Sequence, residues 1–198
     1  MLNRPQPAPL KPDDGPNFTT HHLVREGDVW RFRPTGSAVL FPRVFKAFGY
    51  LFMAVAVLTL WQSLFNSLAF LCGGALAVGV GRYLAMLMAT GARFDTLCRR
   101  VEIPDKATLR FPFSAEHVTT LLDFAEINEI EIVPKRVTDS EIDDYDNYEL
   151  NLVTDTGRRF NLVSHPDGDR IAREAQQLST VLGKSVADWR AVSVARNA

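Results

Sequence analysis

The sequence predicts two structural units: a helical hairpin of membrane-spanning length, and an α+β unit whose antiparallel strands end in one helix. Three observations carry this. An apolar run from about Ala47 to Ala92 contains a single charged residue, Arg82. Short alternating stretches separated by turn residues follow it. Beyond them, Ile171, Ala175, Leu178 and Leu182 recur at three- and four-residue intervals, the spacing of one helical face.

As one helix the apolar run would extend about 69 Å at 1.5 Å per residue, more than twice the roughly 30 Å hydrocarbon core of a bilayer. It therefore reads as two spans of about 20 residues each, Ala47 to Phe65 and Leu68 to Thr90, with polar Gln62, Asn66 and Ser67 at the turn. A buried hairpin in a soluble core is the alternative, but the polar remainder of a 198-residue chain supplies nothing to cover it. The run begins too far from Met1, and its first half is too long, for a cleavable signal peptide, so a retained anchor is expected.

Net charge is −1 at a sequence pI of about 6.4, which gives no reason to expect nucleic-acid binding. The charge is unevenly placed. Seven basic against four acidic residues give +3 before the run, and fourteen against nineteen give −5 after it. Arg31, Arg33, Arg43 and Lys46 precede the first span and Arg93, Arg99 and Arg100 follow the second, whereas the turn has no basic residue. Lysine and arginine are retained on the cytoplasmic side, so both termini are expected there, with the hairpin in a bacterial inner membrane. Cys72 falls within the second span and Cys98 beyond it, which implies free thiols and no disulfide framework.

Residues 1–20, rich in proline and polar side chains, read as a disordered amino-terminal arm. Residues 21–46 read as a short hairpin around Glu26-Gly27-Asp28 and an irregular approach to the membrane past Pro34 and Pro42. The helical hairpin occupies 47–91 and a cytoplasmic β domain 92–198. Within that domain Phe94, Thr96, Val101 and Ile103 mark a strand ended by Pro104-Asp105, and ATLRFPF a second. Ile127, Ile130 and Ile132 mark a third, entered through a turn near Glu126. YELNLVT and RRFNLVS form the best hairpin, turning at Asp155-Thr156-Gly157. Asp167 or Asp169 starts the final helix and Gly183 ends it. Antiparallel strands followed by one amphipathic helix are the layout of a pleckstrin-homology-like sheet or open barrel.

The stretch YELNLVTDTGRRFNLVSHPDGDRIAREAQQLSTVLGKSVADW resembles the tail of a group of small, largely uncharacterised bacterial inner-membrane proteins that pair two spans with a compact β domain. NFTTHHLV followed by WRFRPTGSAVLFPRVF resembles the stretch before their spans. The resemblance covers most of the chain, apart from DSEIDDYDN. It implies the architecture and brings no catalytic motif.

Candidate functional residues fall into two groups. Gly73, Ala77 and Gly81, at four-residue spacing, predict a helix-packing stripe that meets the first span or, in the sharper reading, a partner protein or second copy. Arg82, beside them, is expected to snorkel to the interface or meet an acidic residue of another membrane subunit. Arg99, Arg100, Lys106 and Arg110 are the candidate contacts for lipid headgroups or a partner, the simpler reading being the positive flank of an anchor.

No catalytic, cofactor-binding or metal-ligating residue is expected. His21, His22, His117 and His165 are scattered, and no metalloprotease, nucleophile-elbow or phosphate-loop motif is present. Asp139, Glu141, Asp143, Asp144 and Asp146 read as a solvated acidic loop, because the central glycine of a calcium loop is missing. The expected role is a membrane-anchored interaction module and not an enzyme, an accessory subunit or assembly factor with an integral membrane protein as partner. Lipid surrounds the anchor in this reading, and self-association stays open. The alternative is sensing of a lipid or small ligand by the β domain.

Overall fold

A computed structural model of the chain describes residues 6–10, 20–89, 91–104, 108–110, 114–116, 119–137 and 144–190. The backbone separates into two units, one of Pro34–Thr90 and one combining Met1–Arg33 with Gly91–Ala198.

The first unit is two helices, α1 (Gly36–Thr59) and α2 (Leu64–Ala89). Thr35 starts α1: its backbone is extended and its hydroxyl accepts the Ala38 N–H at 3.4 Å, satisfying one of the donors a helix start leaves open. The helix begins at Gly36, before the apolar run, and continues through buried Pro42. The turn also lies earlier than Asn66 and Ser67, at 60–63. Ser67 is helical because its hydroxyl has partners there, donating to the Ser63 carbonyl at 3.1 Å and lying 3.1 Å from the Thr59 hydroxyl. Both helices are long and apolar enough to cross a membrane, over Gly36–Thr59 and Leu64–Met86.

The second unit holds the sheets. β1 (His21–Glu26) and β2 (Val29–Pro34) turn at Gly27, whose φ of 63° is open to glycine at no steric cost. β2 pairs antiparallel with β3 (Arg93–Asp95), and β3 with β4 (Arg100–Pro104). β5 (Thr108–Arg110) and β6 (Ser114–Glu116) pair antiparallel in a two-stranded sheet among the described residues. β7 (Thr119–Asp123) completes a five-stranded sheet in the order β1-β2-β3-β4-β7. Its register aligns Trp30, Phe94, Val101 and Leu122 in one row facing the core.

Residues 21–34 form a short hairpin that is part of the same sheet as the strands that follow the helices. The β domain is discontinuous in sequence, and the helical hairpin is an insertion between neighbouring strands. Phe32 donates its N–H to the Ala92 carbonyl at 3.0 Å, and a Cβ on Gly91 would run into the carbonyl of Phe32.

A 3₁₀ turn over Phe124–Glu126 leads into the second sheet. β8 (Ile127–Val137), β9 (Tyr145–Thr154) and β10 (Arg159–His165) run antiparallel, with Ile130 opposite Leu152 and Ile132 opposite Leu150. After α3 (Gly168–Leu182), β11 (Ser185–Asp188) adds in parallel to β8, giving the order β10-β9-β8-β11. Neither sheet closes on itself. Asp167 caps α3 by accepting from Asp169 and Arg170, and Gly183 ends it at φ 67°. Ile171, Ala175, Leu178 and Leu182 join Phe32, Phe94 and the inner-face residues of both sheets in one core.

The position of α3 on that core gives a direct test. Leu178→Asp places a carboxylate where the side chain is fully buried, and Gln176→Asp places one on the exposed face. The first is expected to lower stability by about 2 to 5 kcal/mol or more and the second to be near neutral. Thermal melts of the two variants that coincide would mean that α3 is not docked.

Candidate functional site

The helical hairpin packs through a seam of small residues spaced seven apart. Pro42, Gly49 and Ala56 are buried on α1, and Ser67, Gly74 and Gly81 on α2. Seven residues are nearly two helical turns, so each set keeps facing the other helix over its length. The backbones come very close. A Cβ on Gly49 would lie 2.7 Å from the Gly74 carbonyl oxygen, one on Gly74 2.7 Å from the Gly49 oxygen, and one on Gly81 2.8 Å from the Pro42 oxygen.

Of the predicted stripe, Gly81 lies in this seam while Gly73 and Ala77 are half-buried beside it. A Cβ on Gly73 would meet only Phe52, at 3.8 Å. The sequence signal for Gly74 was its seven-residue spacing from Ser67 and Gly81, which a four-residue reading passes over. Arg82 is exposed on α2, outside the seam. Because Gly81 packs against Pro42 and Lys46, Arg82 lies at the level of Arg43 and Lys46, and the other end of the hairpin carries no charge but Trp61, 96% exposed.

Of the four basic residues expected to contact lipid or a partner, the structure describes the side chains of Arg99 and Arg100, both exposed. Arg100 pairs with Asp123 at 3.0 Å across β4 and β7. Arg99, at a φ of 53°, sits 5.7 Å over the Phe124 ring. Lys106 lies outside the described residues, and Arg110 is placed only as the last residue of β5.

The outer face of the second sheet holds a cluster that the alternation pattern did not reveal. Glu149, Asn151 and Asn147 alternate with core residues and so read as solvent-facing, yet all three are 0% exposed. Lys135 on β8 donates to Glu149 Oε1 at 3.2 Å, and Asn151 donates to Oε2 at 3.4 Å. Arg159 donates to Glu131 at 2.7 Å, and Asn161 to the Asn151 oxygen at 3.0 Å. Residues 6–10 lie against this face: the Leu10 N–H donates to Glu149 Oε2 at 2.8 Å, and Arg159 Nη1 donates to the Ala8 carbonyl at 2.6 Å. This part of the arm is thus bound to the domain, not a free solvated tail. The acidic loop from Asp139 lies outside the described residues as far as Asp143; Asp144 pairs with Arg136 at 3.2 Å.

A second polar group links α3 to β1. Glu174 accepts from the Leu23 N–H and from Arg170 Nε, each at 3.3 Å, and its other oxygen is buried without a hydrogen-bond partner among the described residues. Burial raises its pKa above the ordinary 4.5 against the opposing pull of the Leu23 N–H and Arg170. His165 is fully buried, with Nδ1 accepting the Asp167 N–H at 2.9 Å; burial first, then the charge of Arg170, lowers its pKa from 6.5. His22 is lowered by burial, then by Arg170 and Arg33.

The unfolded chain therefore takes up protons on both histidines before the folded one does, and their stabilising neutral forms are lost as pH falls through and below 6.5. Glu174 acts in the opposite sense, opposing the fold as pH rises above 4.5. The melting temperature is expected to drop from pH 7.5 to 5.5. His165→Asn, whose Oδ1 offers the same acceptor to Asp167, should reduce the drop. An unchanged drop would locate the pH dependence elsewhere.

Among the described residues no group of three or more His, Cys, Asp or Glu is placed to hold a metal ion. Cys72 and Cys98 are free and exposed. No family model matches the chain, and no curated protein matches it.

Proposed function

We propose that the chain is a membrane-anchored interaction module, the hairpin fixing it in a bacterial inner membrane and the β domain docking a partner in the cytoplasm. One observation carries the anchor: both candidate spans are only 17% buried over their apolar windows, and large apolar side chains from Leu40 to Tyr83 stand exposed around the hairpin. A helix pair apolar on every side and this little covered by its own chain supports an apolar solvent as its surroundings. Arg43, Lys46 and Arg82 at one end, and an uncharged turn with exposed Trp61 at the other, support the orientation with both termini cytoplasmic.

Two open sheets, antiparallel but for the parallel edge strand β11, share a core with one helix and support a pleckstrin-homology-like reading of the domain. Fold likeness does not choose a ligand. Docking to an integral membrane protein, as an accessory subunit or assembly factor, is favoured over lipid recognition because Arg100 is already paired with Asp123 and Arg99 is stacked on Phe124.

The test is purification from membranes in mild detergent with identification of co-purifying proteins. Stoichiometric membrane-protein partners are the expected result; a monomer carrying only lipid would overturn it. Periplasm-active reporters fused at Met1 and Ala198 should both stay silent, and a signal from either would overturn the orientation.

A further inference from the structure

The groups that hold residues 6–10 are unusual for a structural strap. A segment held permanently is most economically held by apolar side chains, since burying charges costs several kcal/mol per ion before pairing is counted. Here Leu10 stays 41% exposed, and the polar contacts go to main-chain atoms. Glu149 takes the Leu10 N–H and Arg159 gives to the Ala8 carbonyl, two groups that lie on the same edge of an extended segment. Lys135 holds the second oxygen of Glu149 at 3.2 Å, and Glu131 holds Arg159 at 2.7 Å, so acceptor and donor are fixed before any peptide arrives. Pro7 and Pro9 flank Ala8, and prolines keep a segment extended at low entropic cost.

We propose that this outer face of β8, β9 and β10 is a recognition site for an extended, proline-containing polypeptide segment, and that the chain's own residues 6–10 occupy it in cis. A partner's segment of the same chemistry takes their place. Recognition is through the backbone, with proline selecting the extended form, as in other sites that read proline-rich segments. The tethered arm competes at a high effective concentration, so the site opens only to a partner that is itself concentrated beside it, as one held in the same membrane would be. This inference rests on the reading of the β domain as a docking domain.

The probe is a fluorescent peptide of residues 1–15, read by anisotropy against the chain in detergent. A chain beginning at Thr20 is expected to bind it at least tenfold more tightly than the intact chain. The same peptide with Leu10→Pro, which lacks the N–H that Glu149 accepts, should bind at least tenfold more weakly. Leu10→Pro in the intact chain should open the site to the unaltered peptide without any truncation. A truncated chain that folds by circular dichroism yet ignores the peptide overturns the site, as does equal binding by the intact chain. A truncated chain that no longer folds overturns it too, by making the arm a fixed part of the domain. Each of these leaves the docking reading standing, which fails only if no partner co-purifies.

Discussion

Replacing residues 34–90 by a four-residue glycine-serine turn is expected to yield a soluble, cooperatively folded domain, whereas residues 92–198 alone are expected not to fold. The reason is the discontinuous sheet. β2 ends and β3 begins on adjacent antiparallel strands, about 4.8 Å apart, a gap that hairpin loops of two to five residues close routinely. Without residues 21–34 the core loses Phe32, 3% exposed, together with the packing of Leu23 and Trp30. Glu174 also loses the Leu23 N–H that helps to satisfy its buried carboxyl. Deleting one large core side chain costs about 3 to 5 kcal/mol, and a whole domain has about 5 to 15 to lose. Size-exclusion profiles and urea titrations of the two fragments make the comparison. A stable, monomeric 92–198 fragment would show that β1 and β2 are dispensable.

Gly74→Leu is expected to break the helical hairpin, and Gly73→Leu, one residue away, to leave it intact. At Gly74 the obstruction is the carbonyl oxygen of Gly49, backbone that cannot move aside as a flexible side chain can. Overpacking of this kind costs about 1 to 3 kcal/mol, and rigid neighbours place it at the upper end. At Gly73 the nearest atom is 3.8 Å away, so leucine adds only outward apolar surface. Gly81→Leu should resemble Gly74→Leu, since Pro42 backbone lies opposite. Detergent titrations of helical signal would rank the three. Equal loss for Gly73→Leu and Gly74→Leu would return the four-residue stripe to the interface.

What could be read from the sequence was what depends on neighbours in sequence. The α3 periodicity, its Asp167 and Gly183 ends and the β9–β10 hairpin are all set by interactions within a few residues, and the structure places them accordingly. The start of α1 was hidden because Arg43 and Lys46 interrupt the apolar run, although Thr35 is an ordinary helix-capping residue. β11 is four residues long, too short for alternation to register. The harder failures were non-local. Whether β2 joins β3 is decided across the whole hairpin, and whether Glu149 is wet or buried depends in part on residue 10. Polar residues alternating along a strand mean a solvated face only if nothing distant in the chain comes to cover it.

If the hairpin spans a membrane as proposed, its placement between β2 and β3 makes folding of the domain a check on that insertion. β1 and β2 are synthesised before the helices and the rest of the sheet after them, so half of the row through Trp30 and Phe94 waits for the other half. In the membrane setting proposed above, the two halves meet only when α1 and α2 have brought both chain ends to the same side. A hairpin inserted with one crossing missed strands the two pieces on opposite faces of the bilayer, each without a core. Such a chain stays unfolded and open to proteolysis, whereas a correctly threaded one locks its topology by folding.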